Sequence, residues 1–460
     1  MEMIYRDYVI LGGGPAGYYA AIYGAKLGAK ITLIEDKEIG GVCLNKGCIP
    51  TKALLKSSGI IKELKRAKEF GIDIDIKKIN LETAVDRKNR VVKALNIGLS
   101  SLINSNKIEL IKGRGILKSK NQIIVESKDE PKLIQFNKLI ISTGASPIIP
   151  NIQGITNEGV LVSDDFLELK TIPEHLVIIG AGVIGLEFAE MYSAFSKVTV
   201  IEVRDKLYFT DEEIDNELLK IMKRKGINLK FNSKVIRINK INDKLEVIFE
   251  QNGKENSIVA DNVLLACGRR PNISQDMIDI GLDIKNGALV VNEEFKTNIE
   301  NIYAAGDVIG GKQLAHLSFA EGRCAIENAL GIKSKLNYNA VPNCIYTEPE
   351  VATVGMTETE AIGKGYEVKI GKYYFRNNGR ALTLGNRDGF VKIVVDKNTN
   401  IVLGAQILGE SASEMISELT LAITLKADVN ILSTMIHPHP TLSEAIFEAC
   451  GDACGMSVHK

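Results

Sequence analysis

Two sulfurs and one imidazole carry most of the chemistry this sequence can offer. Cys43 and Cys48 lie five residues apart inside Gly40-Gly41-Val42-Cys43-Leu44-Asn45-Lys46-Gly47-Cys48-Ile49-Pro50-Thr51-Lys52. Pro50 suits the first turn of a helix, where its missing N–H has no partner to lose, so Cys48 is expected at a helix N-terminus. The positive end of the helix dipole favours thiolate there and lowers the thiol pKa. Lys52, one turn on, adds a cation. A dithiol with one activated member is a redox pair. On spacing alone two alternatives stay open. A zinc site needs a second pair of ligands, which the neighbouring sequence lacks. Two buried structural thiols would not need so glycine-rich a frame.

The imidazole is in His437-Pro438-His439-Pro440-Thr441-Leu442-Ser443-Glu444. Histidine moves protons near neutral pH, and a carboxylate on one ring nitrogen fixes its tautomer and raises its basicity. Glu444 reaches His439 if Pro440 turns the chain into a helix. A His–Pro turn alone is more often structural than catalytic, so the motif takes its weight from the company it keeps; His437 is read as structural. Farther on, Cys450 and Cys454 are four apart and would share one helix face. The bland reading is small packing residues, and the sharper one a second redox pair.

Such groups need elements to hold them, and glycine marks those elements. Tyr8-Val9-Ile10-Leu11 runs as a strand into Gly12-Gly13-Gly14-Pro15-Ala16-Gly17, an Ala-rich helix follows, and a second strand ends at Glu35, 23 residues after the first glycine. This is the β-α-β fingerprint of a dinucleotide fold. Three glycines so spaced arise by chance about 0.3 times in a chain of this composition. The unit, however, recurs. Leu176-Val177-Ile178-Ile179 leads into Gly180-Ala181-Gly182-Val183-Ile184-Gly185, a helix, and a strand ending at Glu202, 22 residues on. In each, glycines let the backbone approach a pyrophosphate at a helix N-terminus, and the acid accepts from ribose hydroxyls. Glu202 would repel a 2′-phosphate and so favours NAD over NADP; Arg204, two residues on, could contact such a phosphate but reads more simply as a solvated loop arginine.

The echo extends to Leu139–Gly144 and Val263–Gly268, apolar strands stopping at a glycine late in each unit. Before each, between residues 115 and 137 and between 230 and 262, alternation and turn signals predict antiparallel ribbons. From about Asn337 strands Gly389–Asp396 and Ile401–Leu408 alternate with helices Ser413–Lys426 and Leu442–Ala449, a separate α+β domain.

Composition agrees with a soluble protein. The 460 residues suffice for about three domains. Lys+Arg and Asp+Glu are equal at 57 each, which argues against a nucleic-acid partner. The longest apolar run, Leu176–Leu186, is about half of the roughly twenty residues a bilayer span needs. Glu2 and Asp7 sit where a signal peptide carries only positive charge, so a cytoplasmic location is expected. Seven cysteines are too few for a disulfide scaffold.

Taken in order, the run Gly40–Lys52, the two glycine cradles, Thr297 with Tyr303-Ala304-Ala305-Gly306-Asp307, and His439-Pro440-Thr441-Leu442-Ser443-Glu444 resemble the pyridine nucleotide–disulfide oxidoreductases nearly end to end. The resemblance implies two Rossmann-like domains and a C-terminal α+β dimerisation domain. It places the FAD-binding domain at residues 1–147 with a return segment at 273–338, the NAD-binding domain at 148–272 and the interface domain at 339–460. FAD would be lined by Gly12, Gly14, Gly17, Glu35, Lys52, Gly115, Thr143, Gly144, Asp307, Leu314, Ala315 and His316. NAD would be lined by Gly180, Gly182, Gly185, Glu187, Glu202, Val235 and Gly268, with Glu187 paired to Lys52. Gly268-Arg269-Arg270-Pro271-Asn272 matches a family motif. Asn377-Asn378-Gly379 departs from the family's usual Ser or Ala before Arg380-Ala381-Leu382.

The activity so implied is oxidation of protein-bound dihydrolipoyl groups, with NAD⁺ as final acceptor, for a 2-oxoacid dehydrogenase or glycine cleavage system. Cys43 and Cys48 would form the redox disulfide, Cys43 as interchange thiol and Cys48 as the thiolate against the flavin. His439, oriented by Glu444, would be the base, acting on the partner subunit's disulfide in a homodimer. A related NAD(P)H-dependent disulfide or mercuric reductase, or a flavin-bound redox sensor, are the alternatives; Glu202 weighs against the reductase. No metal is expected.

Overall fold

The computed structural model describes residues 3–127, 130–207 and 211–460. They form two compact units. One comprises Met1–Pro150, Leu161–Ile172 and Cys267–Leu336; the other comprises Asn151–Val160, Pro173–Ala266 and Asn337–Lys460.

The first unit is built on a parallel sheet in the order Glu109–Lys112, Ile31–Glu35, Met3–Leu11, Lys132–Ile141, with Ile302–Ala304 parallel to the end of the last. Where the strands run side by side at the sheet centre, residues 9–11 and 139–141 are apolar and buried throughout because both faces are covered. Val9, Leu11, Ile34, Leu139 and Ile141 pack into one core, while Ile10, Leu33 and Ile140 meet Ala16, Ala20 and Ala21 of the helix Pro15–Lys26 in another. That helix lies tightly on the helix Ala315–Ala329: a Cβ on Gly322 would come 2.3 Å from the Ala16 carbonyl oxygen.

The second unit repeats the plan with parallel strands Asn228–Lys230, Lys197–Ile201, His175–Ile179 and Asn262–Leu265. The inserted ribbons differ. In the first unit Arg114–Ser119 pairs with Gln122–Glu126, which pairs in turn with Lys132–Ile141, one unbroken strand serving both ribbon and parallel sheet. In the second, Ser233–Ile241, Lys244–Gln251 and Lys254–Ala260 form a sheet of their own. Asp261 interrupts the chain between that sheet and Asn262–Leu265, its carboxylate accepting from the His175 N–H at 2.7 Å while its own N–H donates to the His175 carbonyl at 3.0 Å.

The C-terminal part of this unit is a five-stranded antiparallel sheet, Asn343–Ile345, Glu350–Gly355, Val402–Gly409, Phe390–Asp396, Val368–Tyr374, packed with helices Ala412–Thr424 and Glu444–Ala453. The two long strands start and stop within one residue of the expected positions. The last helix begins two residues later than Leu442, at Glu444, and lies so close to Val368–Tyr374 that a Cβ on Gly371 would come 1.9 Å from the Ala449 carbonyl oxygen. Within Phe390–Asp396 the Lys392 ammonium is buried among Asp211 at 3.1 Å, Glu358 at 2.8 Å and Glu213 at 3.5 Å. A buried cation needs such company to offset its lost hydration.

Candidate active site

The two cradles match atom for atom. The Gly12 N–H donates to the Ile34 carbonyl and the Gly180 N–H to the Ile201 carbonyl, both at 2.8 Å. Gly12 and Gly180 have φ of +102° and +105°, a region closed to most side chains. A Cβ on Gly17 would lie 1.8 Å from the Gly12 oxygen, and one on Gly185 would lie 2.0 Å from the Gly180 oxygen. Each helix starts right after Gly14 or Gly182 with no side-chain cap, which leaves its first-turn N–H groups without the partner a capping side chain would supply. A Cβ added at Gly14 or Gly182 would meet nothing nearer than 3.9 Å. Room and donors together fit a pyrophosphate at each mouth.

The acids do more than await a ribose. Glu35 Oε2 accepts from the Gly13 N–H at 2.6 Å and Oε1 from the Lys37 N–H at 2.8 Å. Glu202 Oε2 accepts from the Ala181 N–H at 2.7 Å and Oε1 from the Arg204 N–H at 3.0 Å. Each carboxylate thus latches its own glycine turn. Burial pushes the Glu35 carboxyl up, with the Lys37 and Gly13 N–H groups pulling against it.

The dithiol segment docks on the first cradle with its backbone in close contact, Ile39 and Leu44 packing beside it on the helix Pro15–Lys26. The Gly40 N–H donates to the Gly13 carbonyl at 2.7 Å, and a Cβ on Gly41 would lie 2.6 Å from the Gly14 Cα. Gly41→Ala must push the two loops apart at a residue whose φ is +58°. We expect that variant to purify with markedly less FAD, read as visible flavin absorbance per chain.

Cys43 sits in the short helix Gly41–Lys46, and Cys48 is the first residue of the helix Cys48–Arg66, with Pro50 in its first turn as expected. Gly47 makes the break, with φ −144° and ψ −108°. The two side chains are hydrogen-bonded as free thiols. That bond, together with burial, drives the Cys43 thiol far above its ordinary pKa, while Lys52 pulls it down. Cys48, as the first residue of the longer helix, sits where oriented N–H groups favour a thiolate. Sequence reasoning missed two supporting residues. The Tyr18 phenol is pushed up to about 12 by burial and then by Cys43 and Cys48, which places it beside the pair. Asn45 donates to the Ile39 and Gly41 carbonyls at 3.0 and 2.9 Å and accepts from Asn96 at 2.7 Å, holding the dithiol loop. Neither carries a local sequence signal.

Other expected flavin residues fall in the same unit. Gly115 lies on Arg114–Ser119, where a Cβ would strike Leu11 at 2.6 Å. The Thr143 hydroxyl donates to the Asn272 carbonyl at 3.1 Å, and Asn272 returns a bond to the Thr143 carbonyl at 2.9 Å. Gly144, at φ +71°, has no atom within 4 Å of a built Cβ. Burial raises the Asp307 carboxyl, and Arg269 pulls it down. Leu314, Ala315 and His316 form the start of the helix Ala315–Ala329. Gly268, expected to line NAD, belongs to this first unit as well and, at φ +96°, follows a strand as Gly144 does.

In the second unit Val235 is buried on the ribbon, in the strand that begins where the Ser233 N–H donates to the Glu202 carbonyl at 2.9 Å. Buried Glu187 accepts the Tyr346 N–H at 3.1 Å.

His439 Nδ1 lies 2.8 Å from Glu444 Oε1, while Glu444 Oε2 accepts the Thr441 N–H at 2.8 Å. Although burial opposes it, the Thr441 N–H and His439 hold the Glu444 carboxyl below the usual range. The His439–Pro440 bond is cis. The His439 side chain is 78% exposed. With Nδ1 tied to the carboxylate, Nε2 carries the lone pair that can take a proton. His437 is instead enclosed, 5% exposed, with Nε2 3.1 Å from Glu418. Cys450 is buried in the C-terminal core, which pushes its thiol well up, and Cys454 donates to Asn430 Oδ1 at 3.4 Å. Both fit packing residues. Among the described residues, no group of His, Cys, Asp and Glu is placed to hold a metal ion, and no helix is long and apolar enough to cross a membrane.

Two nucleotide cradles and a dithiol docked on the first define a flavoprotein disulfide oxidoreductase. Residues 6–322 match the pyridine nucleotide-disulphide oxidoreductase family and residues 341–450 match its dimerisation domain. The chain belongs to that family, and works as an oxidoreductase with FAD and NAD. It is 40% identical to a dihydrolipoyl dehydrogenase of Bacillus subtilis over 98% of this chain and 99% of that protein. It is 38% identical to one of Chlamydia muridarum over 98% of each. Among solved structures it is similar to LpdA from Mycobacterium tuberculosis, with a TM-score of 0.91 and 28% identity over 97% of this chain and 99% of that one. It also resembles the HOCl-induced flavoprotein disulfide reductase RclA from Escherichia coli in its Cu(II) complex, with a TM-score of 0.88 and 30% identity over 98% and 99%.

Proposed function

We propose that this chain is a dihydrolipoyl dehydrogenase, oxidising protein-bound dihydrolipoyl groups to lipoyl and passing the electrons to NAD⁺ as a component of a 2-oxoacid dehydrogenase or glycine cleavage system. The observation that carries the reading is the hydrogen-bonded pair Cys43 and Cys48, docked backbone to backbone on the flavin cradle. Residues 1–147 and 273–338 hold FAD, 148–272 hold NAD, and 339–460 form the interface of a homodimer. The cradle glycines and Glu35 bind the flavin nucleotide with Lys52, Gly115, Thr143, Gly144, Asp307 and the segment Leu314-Ala315-His316; Gly180, Gly182, Gly185, Glu187, Glu202, Val235 and Gly268 serve NAD. The working compartment is the cytoplasm.

In the oxidised enzyme Cys43 and Cys48 form a disulfide. His439 Nε2 takes a proton from one substrate thiol, and the thiolate attacks Cys43 Sγ. The Cys43–Cys48 bond breaks, and Cys48 leaves as a thiolate stabilised by its helix N-terminus and Lys52. The second substrate thiol then attacks the first, its proton passing by way of His439 to the departing Cys43 sulfur, which closes the lipoyl disulfide and frees Cys43 as a thiol. Two electrons have entered the dithiol. The chemistry the cofactors supply when bound is passage of that electron pair to NAD⁺. An exposed base fixed at Nδ1 is suited to a disulfide on the partner subunit.

The test is anaerobic: the purified yellow protein should be bleached by NADH and should oxidise dihydrolipoamide with NAD⁺. A colourless protein, or one inert to dihydrolipoamide, ends the proposal. Glu202 adds a second expectation. A 2′-phosphate about 4 Å from a partly exposed carboxylate meets repulsion on the order of 1–4 kcal/mol, so NADH should bind at least about tenfold more tightly than NADPH. Equal dissociation constants would remove Glu202 from the nucleotide site.

A further inference from the structure

Three carboxylates follow one another along the last helix, at Glu444, Glu448 and Asp452. The first holds His439. The second is almost wholly buried, with a side chain 4% exposed, yet four donors reach it, all from the chain that follows the helix. Glu448 Oε2 accepts from Ser457 Oγ at 2.7 Å, the Val458 N–H at 3.2 Å and the His459 N–H at 3.4 Å; Oε1 lies 2.6 Å from His459 Nδ1. Gly455, at φ +71°, turns the chain back along the helix, and the Met456 N–H donates to the Gly451 carbonyl at 2.7 Å. Lys460 adds an ion pair of 2.5 Å to Asp452, whose other oxygen accepts the Lys372 N–H at 2.8 Å. The Tyr373 ring, on the strand beneath, feels both Glu448 and Glu444, so the two carboxylates share one neighbourhood.

We propose that Glu448 and the tail Ser457–His459 are positioning residues for the His439–Glu444 pair: the tail satisfies a buried carboxylate one turn from Glu444 and so fixes where the helix presents it. A buried carboxylate stripped of its donors must take a proton or return to water. Either response moves the turn from which Glu444 grips His439. Burial works against ionisation of Glu448, and the hydrogen bonds from Ser457, His459 and Val458 keep its carboxyl low all the same. The other charged groups facing this helix, His437 and Glu418, are paired with each other and do not reach the tail bonds. The inference rests on His439 as the base for dihydrolipoamide.

The experiment compares three variants of the full holoenzyme: deletion of residues 457–460, Glu448→Ala and Glu448→Gln. A displaced general base lowers turnover by up to about 10²-fold. The deletion and Glu448→Ala should therefore lose about ten- to hundredfold in kcat for dihydrolipoamide, with its KM and the rate of flavin reduction by NADH unchanged. Glu448→Gln still accepts from Ser457 and the tail N–H groups, and should stay within about threefold of the parent. In protein carrying ¹⁵N-histidine, the Nδ1–H resonance of His439, assigned by its absence in His439→Ala, should broaden in the deletion and persist in Glu448→Gln. Parental kcat in both the deletion and Glu448→Ala, or an undisturbed resonance alongside slow turnover, overturns the inference. Failure of the reading beneath it is distinguishable, because His439→Ala itself would then turn over dihydrolipoamide at the parental rate.

Discussion

Cys43→Ser should abolish dihydrolipoamide oxidation, with a fall of about 10⁶-fold, the scale on which loss of a covalent nucleophile acts. The substitution is nearly isosteric and keeps a hydroxyl that can still donate to Cys48, so the fold and both cradles should survive. What disappears is the sulfur that the substrate thiolate attacks. Without a disulfide the electron pair has no way into the chain from the thiol side. The nicotinamide side does not pass through Cys43, so NADH should still bleach the flavin under anaerobic conditions at close to the parental rate. Stopped-flow absorbance with NADH and steady-state assay with dihydrolipoamide separate the two halves. A variant that loses both equally would mean that Cys43 supports the flavin cradle rather than the exchange.

His439→Ala is the second large effect, a slowing of dihydrolipoamide oxidation by about 10²–10⁴-fold, the usual contribution of a positioned general base. The ring is 78% exposed and packs little, so stability should barely change. NADH-to-flavin transfer should again remain, since the base acts only on substrate thiols. The loss should be greatest near neutral pH and shrink as pH rises, because solution then supplies thiolate directly. Rates measured across that range with dihydrolipoamide check this; a pH-independent deficit would leave His439 as a binding residue only.

The parts of this molecule legible in its sequence are those where a local backbone constraint forces a residue type. Gly12, Gly17, Gly180 and Gly185 could be read because a left-handed φ or an oxygen within 2.0 Å of a built Cβ admits only glycine, whatever lies elsewhere in the chain. Cys48 at a helix start could be read from Pro50 beside it. The grip of Glu444 on His439 could be read because only five residues separate them, although the helix starts at Glu444 rather than directly after Pro440. What stayed hidden depends on contacts between distant positions. Lys392 among Asp211, Glu213 and Glu358 gives no pattern, since a lysine within an apolar strand looks the same whether exposed or enclosed. The latch of Glu35 and Glu202 onto their own turns was also missed, because the ribose already accounted for each acid. Both ribbons were legible as antiparallel insertions, but not that the first runs on into its parallel strand while Asp261 ends the second, since that depends on its bonds to the distant His175.

The paired cradles bear on how such a chain came to exist. Each closes with bonds drawn from its own strand, turn, helix and following strand, so nothing in its geometry waits on the other. A block of that kind survives being copied whole. Once two copies stand in one polypeptide, their frameworks remain frozen by steric necessity while side chains beside them diverge: Ser142 and Ala266 donate their N–H groups alike, to the Leu11 and Ile179 carbonyls at 2.8 Å, but only the serine adds a hydroxyl bond to the Gly12 carbonyl. Ancestry is thus preserved in the main chain, and specialisation is written over it in the side chains.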